Sequence, residues 1–184
     1  MEAFDIRSTP LAGLVVVHRQ RREDSRGFFS RFYCADALAR AGHAFTIAQM
    51  NHTRTAARGS VRGMHFQHPP HAEDKFVSCL RGEVFDVAVD LRRDSPTFLR
   101  WHAQILSAEN LTSLLIPKGF AHGFQTLGDN CELIYLHSAP YAPEAEGALH
   151  VSDPALAIAW PIPITGISDR DAKHPPITPD FTGI

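Results

Sequence analysis

Short runs of alternating apolar and polar residues, cut by turn residues, dominate the chain. The clearest is EVFDVAVDL at 83–91. There Phe85, Val87, Val89 and Leu91 share one face, and Val84, Asp86, Ala88 and Asp90 share the other. LVVVH at 14–18 is apolar and β-branched, and FTIAQMNHT at 45–53 alternates Phe45 and Ile47 with Thr46 and Ala48. KFVSCL runs into the Arg81-Gly82 turn, and HAQILS, LTSLLIP, GFQTL and ELIYLHS supply further strands. Only ADALARAG at 35–42 has helical spacing, with Gly42 as its stop. Many short strands with so little helix predict an all-β sandwich or barrel. The stretch WPIPITGISDRDAKHPPITP is too rich in proline for a central strand, because proline lacks the ladder donor. It is expected to lie as a tail over the barrel, within a single domain spanning residues 1–184.

Composition narrows the class. At 184 residues and 44% hydrophobic the chain can bury one real core. A net charge of −2 gives no global basic field, which argues against a nucleic-acid partner. The positive charge is nonetheless clustered in HRQRREDSRGFFSR at 18–31, which reads as a solvated turn or a local anion site. Cys34, Cys79 and Cys131 are far apart and lack C-x-x-C spacing, so free thiols in a reducing compartment are expected. The start, MEAFDIRSTPLAGL, lacks the basic and apolar regions of a secretion signal, and no apolar run approaches membrane-spanning length. A cytoplasmic protein with no membrane partner is the expectation.

The densest chemistry lies in RGMHFQHPPHAEDKF at 62–76. Strict strand alternation puts His65 on a face with Gly63 and Gln67, and Arg62, Met64 and Phe66 on the other. IPKGFAHGF at 116–124 resembles the second signature of the cupin superfamily, through Pro117, Gly119 and His122. Metal-binding cupins pair that signature with H-x-H, but here the matching place reads His65-Phe66-Gln67. A glutamine amide replaces an imidazole poorly in a transition-metal site, so no metal is expected. His68 and His71 flank two prolines and read as a solvent loop. Proton transfer remains. Histidine titrates near neutrality without a large shift, and the chain also offers Lys75, Tyr135 and the carboxylates Asp169 and Asp171. A base, an orienting carboxylate, a phenol and an ammonium suffice to move a proton next to a carbonyl.

Taken in order, DSRGFF (24–29), QMN (49–51), VRGMHFQ (61–67), Lys75, GEVFDVAVDLRRDSPTF (82–98), IPKGFAHGF, Tyr135, YAPEAEG (141–147), DPAL (153–156), AWP (159–161) and SDRD (168–171) resemble one family. It is the dTDP-4-dehydrorhamnose 3,5-epimerases, a metal-independent branch of the cupins, and the resemblance covers roughly residues 4 to 176. It implies a cupin-type jelly roll, a homodimer and no cofactor. The implied substrate is a nucleotide-diphosphate 4-keto-6-deoxy sugar, inverted at C3, C5 or both. It implies further that His65 is the base with Asp171 as its partner, Tyr135 the acid, and Lys75 the group that stabilises the enolate oxygen. His122 would sit beside that oxygen or support Lys75. Arg62 would meet the diphosphate. Arg26, Gln49 and Asn51 match nucleotide or sugar contacts, and Tyr141 would line the nucleotide side.

One position departs from the family, which places a glutamate two residues after RGFF where this chain has Arg31. If Arg31 faces the base, CDP or GDP carriers are expected to be preferred over dTDP. A non-catalytic sugar- or effector-binding cupin, a metal-dependent oxygenase and a nucleotide-sugar ketoisomerase are the competing classes. Intact His65, Tyr135 and Asp171 argue against the first, and Gln67 against the second.

Overall fold

The computed structural model describes residues 3–184. Its elements in chain order are β1 (Phe4–Ser8), β2 (Val15–Arg19), β3 (Arg21–Asp24), β4 (Gly27–Ser30), α1 (Ala35–Arg40), β5 (Gln49–Thr55), β6 (Val61–Gln67), β7 (Lys75–Arg81), β8 (Glu83–Asp90), β9 (Trp101–Ser107), β10 (Thr112–Ile116), β11 (Phe120–Thr126), β12 (Cys131–His137) and β13 (Glu146–Ala148). They form a six-stranded sheet, β1-β2-β10-β7-β12-β5, and a five-stranded sheet, β13-β6-β11-β8-β9. Strands β3 and β4 make a separate hairpin. The pairings within both sheets are antiparallel, and the architecture is the expected all-β jelly roll.

Three apolar clusters explain why the strands pair as they do. Val77, Leu114 and Leu133 of one sheet meet Val84, Leu106 and Phe124 of the other to fill the interior. A second cluster covers the outer face of the five-stranded sheet. There Met64, Phe66, Val87 and Val89 lie under the proline-rich tail, which contributes Ile158, Trp160, Ile164 and Ile167. The tail therefore lies over the barrel as its composition implies, and both faces of β8 are buried. The third cluster sits outside the six-stranded sheet, where Leu38 of α1 meets Val17, Phe76 and Leu136. Helix α1 is followed by Gly42 in the left-handed region (φ +83°), and the His43 amide donates back to the Leu38 carbonyl at 2.8 Å.

Two local readings need correction. Residues 45–48 are not strand; β5 starts only at Gln49. Phe45 instead packs against the helix cluster, and its carbonyl accepts from the Tyr33 hydroxyl. This anchors the segment as a loop. The basic stretch 18–31 is not a simple turn either. It forms the β3–β4 hairpin, which holds Phe28 and Phe29 in solvent at 54% and 63% exposure. Arg21 lies over the Phe28 ring at 4.6 Å. The thiols are free, as expected, with Cys79 and Cys131 buried and Cys34 half-buried. Among the described residues no helix is long and apolar enough to cross a membrane.

Candidate active site

A cleft of about 340 Å³ opens at one end of the barrel and gathers side chains from both sheets. His65 comes from β6, Lys75 from β7, His122 from β11 and Tyr135 from β12, while Asp171 comes from the tail. Each lines the same cleft, so five residues spread over more than a hundred positions converge.

The way His65 and Arg62 share this cleft corrects the strict alternation. Opposite β11, His65 pairs with His122 but Arg62 pairs with Phe124, so β6 bulges between them. Gly63 sits in the bulge at φ +137°, and a Cβ there would lie 2.5 Å from the Gly123 Cα. Only glycine fits this close approach. The extra residue turns Arg62 to the cleft beside His65, while Val61 and Met64 face the tail and Phe66 touches both.

Asp171 opens a short 3₁₀ turn, Asp171–Lys173, and is only 4% exposed. Its carboxylate accepts from His65 Nε2 at 2.8 Å, and its own amide is held by the Ser168 hydroxyl at 3.0 Å. With Nε2 donating to the carboxylate, Nδ1 is the basic nitrogen. Burial pushes the His65 pKa below its ordinary 6.5, against the opposing pull of Asp171. The imidazole is therefore neutral and able to accept a proton at neutral pH. Asp169, the rival carboxylate, does not line the cleft.

Tyr135 is 9% exposed, and burial pushes its phenol pKa up, so it stays protonated. Its hydroxyl is 3.4 Å from Thr53 Oγ1. Lys75 is 7% exposed; its ammonium lies 3.3 Å from Glu73 and donates to the His65 carbonyl at 3.2 Å. Burial pulls its pKa below 10.5, opposed chiefly by Glu73. His122 Nε2 is 3.0 Å from both oxygens of Asp86, which is wholly buried. Burial raises the Asp86 pKa, and the His122 contact opposes that rise.

On the rim, Arg62 Nε donates to Thr55 at 2.9 Å, leaving its terminal nitrogens toward the cleft. Asn51 and Tyr141 also line it, and the Tyr141 hydroxyl donates to Glu146 at 2.8 Å. Gln49 stands one step back, accepting from the Tyr141 amide at 2.9 Å. Gln67 is tied up in loop contacts. Its Nε2 donates to the His71 carbonyl at 2.9 Å and its Oε1 accepts from the Ala142 amide at 2.6 Å. Arg26 and Arg31 are not brought to this cleft within the chain. Arg26 pairs with Asp24 on the hairpin at 2.6 Å. Arg31 lines a separate hollow with Phe4, Asp5 and Arg40.

Sequence reasoning missed Asp86, Glu73, His137, Glu146, Arg170 and His174. Asp86 carried a signal: a carboxylate in mid-strand between Val84 and Ala88 needs a buried partner. Among the described residues, one trio has metal-ligand chemistry, with ligand atoms of His65, Asp171 and His174 within 4.8 Å of one another. Two of the three, His65 and Asp171, are already joined by their hydrogen bond.

Comparison with known proteins accords with this geometry. The sequence model of the dTDP-4-dehydrorhamnose 3,5-epimerase family matches residues 8–178. The chain belongs to that family. Its members are isomerases. A dTDP-4-dehydrorhamnose 3,5-epimerase of Mycolicibacterium smegmatis is 42% identical over 171 residues, covering 92% of this chain and 84% of that protein. The crystal structure of the Bacillus anthracis dTDP-4-dehydrorhamnose 3,5-epimerase superposes with a TM-score of 0.93 at 36% identity, covering 95% of this chain and 100% of the other. A Legionella pneumophila epimerase structure gives 0.87 at 40% identity, with coverages of 92% and 90%. The cupin-type jelly roll of this epimerase family is thus the fold of the chain.

Proposed function

We propose that the chain inverts C3 and C5 of a dTDP-linked 4-keto-6-deoxyhexose in deoxysugar biosynthesis. The observation that carries this reading is the hydrogen-bonded His65–Asp171 pair sharing one cleft with Tyr135 and buried Lys75. The C4 ketone acidifies the hydrogens on C3 and C5. His65 Nδ1 takes one of them, and Asp171 stabilises the imidazolium that forms. The electron pair moves to the C4 oxygen. The Lys75 ammonium, with His122 beside it, stabilises that oxyanion where water is largely excluded. Tyr135 then delivers a proton to the opposite face, which inverts the centre. The proton that leaves is replaced, so atoms and electrons balance without a redox partner.

Arg62 would meet the diphosphate, a role supported by its position on the rim of the cleft. The nucleotide assignment draws on relatives. The Bacillus anthracis structure has TDP and PPi bound, and the Legionella pneumophila structure is in complex with dTDP-4-keto-L-rhamnose. Within one chain Arg31 lies away from the cleft, so the assignment rests on these relatives and not on its charge. Offering dTDP-, CDP- and GDP-linked 4-keto-6-deoxyglucose tests the assignment. The dTDP sugar should show kcat/KM at least about tenfold higher, equivalent to about 1.4 kcal/mol. A preference for CDP or GDP would contradict it.

The exposed Phe28 and Phe29 beside Arg26 support a homodimer in which the hairpin and the following Arg31 wall the cleft of a second copy. Light scattering at assay concentration should give twice the chain mass; a fully active monomer would overturn this. A cytoplasmic location is in keeping with the free thiols.

A further inference from the structure

Behind Lys75 lies a line of polar side chains that the mechanism above does not use. The Tyr141 amide donates to Gln49 Oε1 at 2.9 Å. Gln49 Nε2 donates to Asn51 Oδ1 at 3.1 Å. Asn51 Nδ2 is 3.3 Å from His137 Nε2, and His137 Nδ1 is 2.9 Å from Glu73 Oε2. Glu73 Oε1, finally, is 3.3 Å from the Lys75 ammonium.

The direction of this line is fixed from its first member. A backbone N–H can only donate, so Gln49 presents its oxygen to Tyr141 and its nitrogen to Asn51. Asn51 must then accept through Oδ1 and donate through Nδ2. His137 Nε2 therefore accepts, and its proton sits on Nδ1, pointing at Glu73. Each amide orientation and the imidazole tautomer follow from a single backbone donor. Glu73 and His137 are nearly buried, with side chains 8% and 12% exposed. Burial works against the Glu73 charge, but His137 and Lys75 outweigh it and hold the carboxyl below its ordinary range. The His137 ring is also stacked on Tyr135, with centroids 6.1 Å apart.

We propose that Gln49, Asn51, His137 and Glu73 form a directional hydrogen-bond relay that couples the Tyr141 loop to Lys75, with Glu73 and His137 positioning the ammonium. The role rests on the reading of Lys75 as the group facing the enolate oxygen. The relay explains how a buried lysine keeps a fixed direction, with Glu73 opposing the effect of burial on its charge. Other charged or titratable groups around it are Asp86 on β8, Glu146 on β13, His65 and Arg62 on β6, His122 on β11 and Tyr135 on β12. Of the carboxylates, Glu73 is the one in contact with the ammonium.

The test reads Lys75 directly. The chain has three lysines, and Lys118 and Lys173 are exposed. With ¹³Cε-labelled lysine, the Lys75 signal can be titrated by NMR without substrate. In Glu73→Gln the Lys75 titration should move to lower pH by about one unit or more, as expected when a contact counter-charge is removed. The alkaline limb of kcat should move with it. His137→Phe keeps the stacked ring and leaves Glu73 in place. It should lower kcat by roughly tenfold or more while KM stays within about twofold, the pattern of a misdirected catalytic group. A cooperative thermal unfolding transition in each variant shows that it is folded. An unmoved Lys75 titration in Glu73→Gln would overturn the relay, as would full kcat in His137→Phe. Because the titration needs no substrate, a wrong assignment of the reaction would leave it intact and show itself only in the kinetics.

Discussion

His65→Asn should lower the rate of inversion at both centres by about 10²–10⁴-fold, the usual contribution of a positioned general base. The substitution removes the basic nitrogen and leaves the cleft walls, because Met64 and Phe66 on either side are anchored in the tail cluster. Binding of dTDP should therefore stay within a few-fold of the wild type. The pH profile gives a second readout. The base must be neutral, so activity falls as pH drops through the His65 pKa. Burial lowers that pKa, so the acid limb of kcat/KM should lie below pH 6.5. The residual rate of His65→Asn should lack this limb. Asp171→Asn should also cut the rate strongly, because a neutral amide cannot stabilise the imidazolium that forms 2.8 Å away. Ordinary turnover in His65→Asn would remove the base from the mechanism.

Tyr135→Phe should separate two events that the wild type performs together. The ring stays and the phenol goes, so proton abstraction by His65 continues while delivery from the opposite face fails. Net inversion should fall by about 10²-fold or more, and exchange of the abstracted hydrogen with solvent should persist. The change is mild for folding. The lost contact is a 3.4 Å hydroxyl pair with Thr53, so the stability cost should be about 1 kcal/mol or less. Burial raises the phenol pKa, so Tyr135 should not set the alkaline limb of the wild type; Lys75, whose pKa burial lowers, should. If exchange and inversion fall together to the level of His65→Asn, Tyr135 has no separate role as the acid.

The strands were legible because sheet packing obeys a period of two that the sequence displays openly. Strand β8 is the best case, with Val84 and Ala88 inside and Val87 and Val89 under the tail. The period failed where geometry interrupts it. At Gly63 one extra residue swings Arg62 to the face of His65, and nothing in the alternation reveals a bulge. At residues 45–48, apparent alternation belongs to a loop anchored by buried Phe45, while Ile47 is exposed. The candidate residues were legible through resemblance, and the structure brings His65, Lys75, His122, Tyr135 and Asp171 to one cleft. Their partners were not. Asp86 meets His122 across 36 positions and Glu73 meets His137 across 64, which no local pattern encodes. Arg26 and Arg31 mark the opposite limit. Their positions matched or departed from a family motif, but a single chain places both away from the cleft.

The central claim is that this cleft removes and returns protons on either side of the C4 ketone. The most direct measurement is to let the wild-type protein act on dTDP-linked 4-keto-6-deoxyglucose in D2O and locate the deuterium by NMR. The account predicts an inverted product carrying one solvent deuterium at C3 and one at C5, with none at either centre when His65→Asn replaces the wild type. Inverted product without solvent deuterium, or no exchange at either carbon in the wild type, would contradict it.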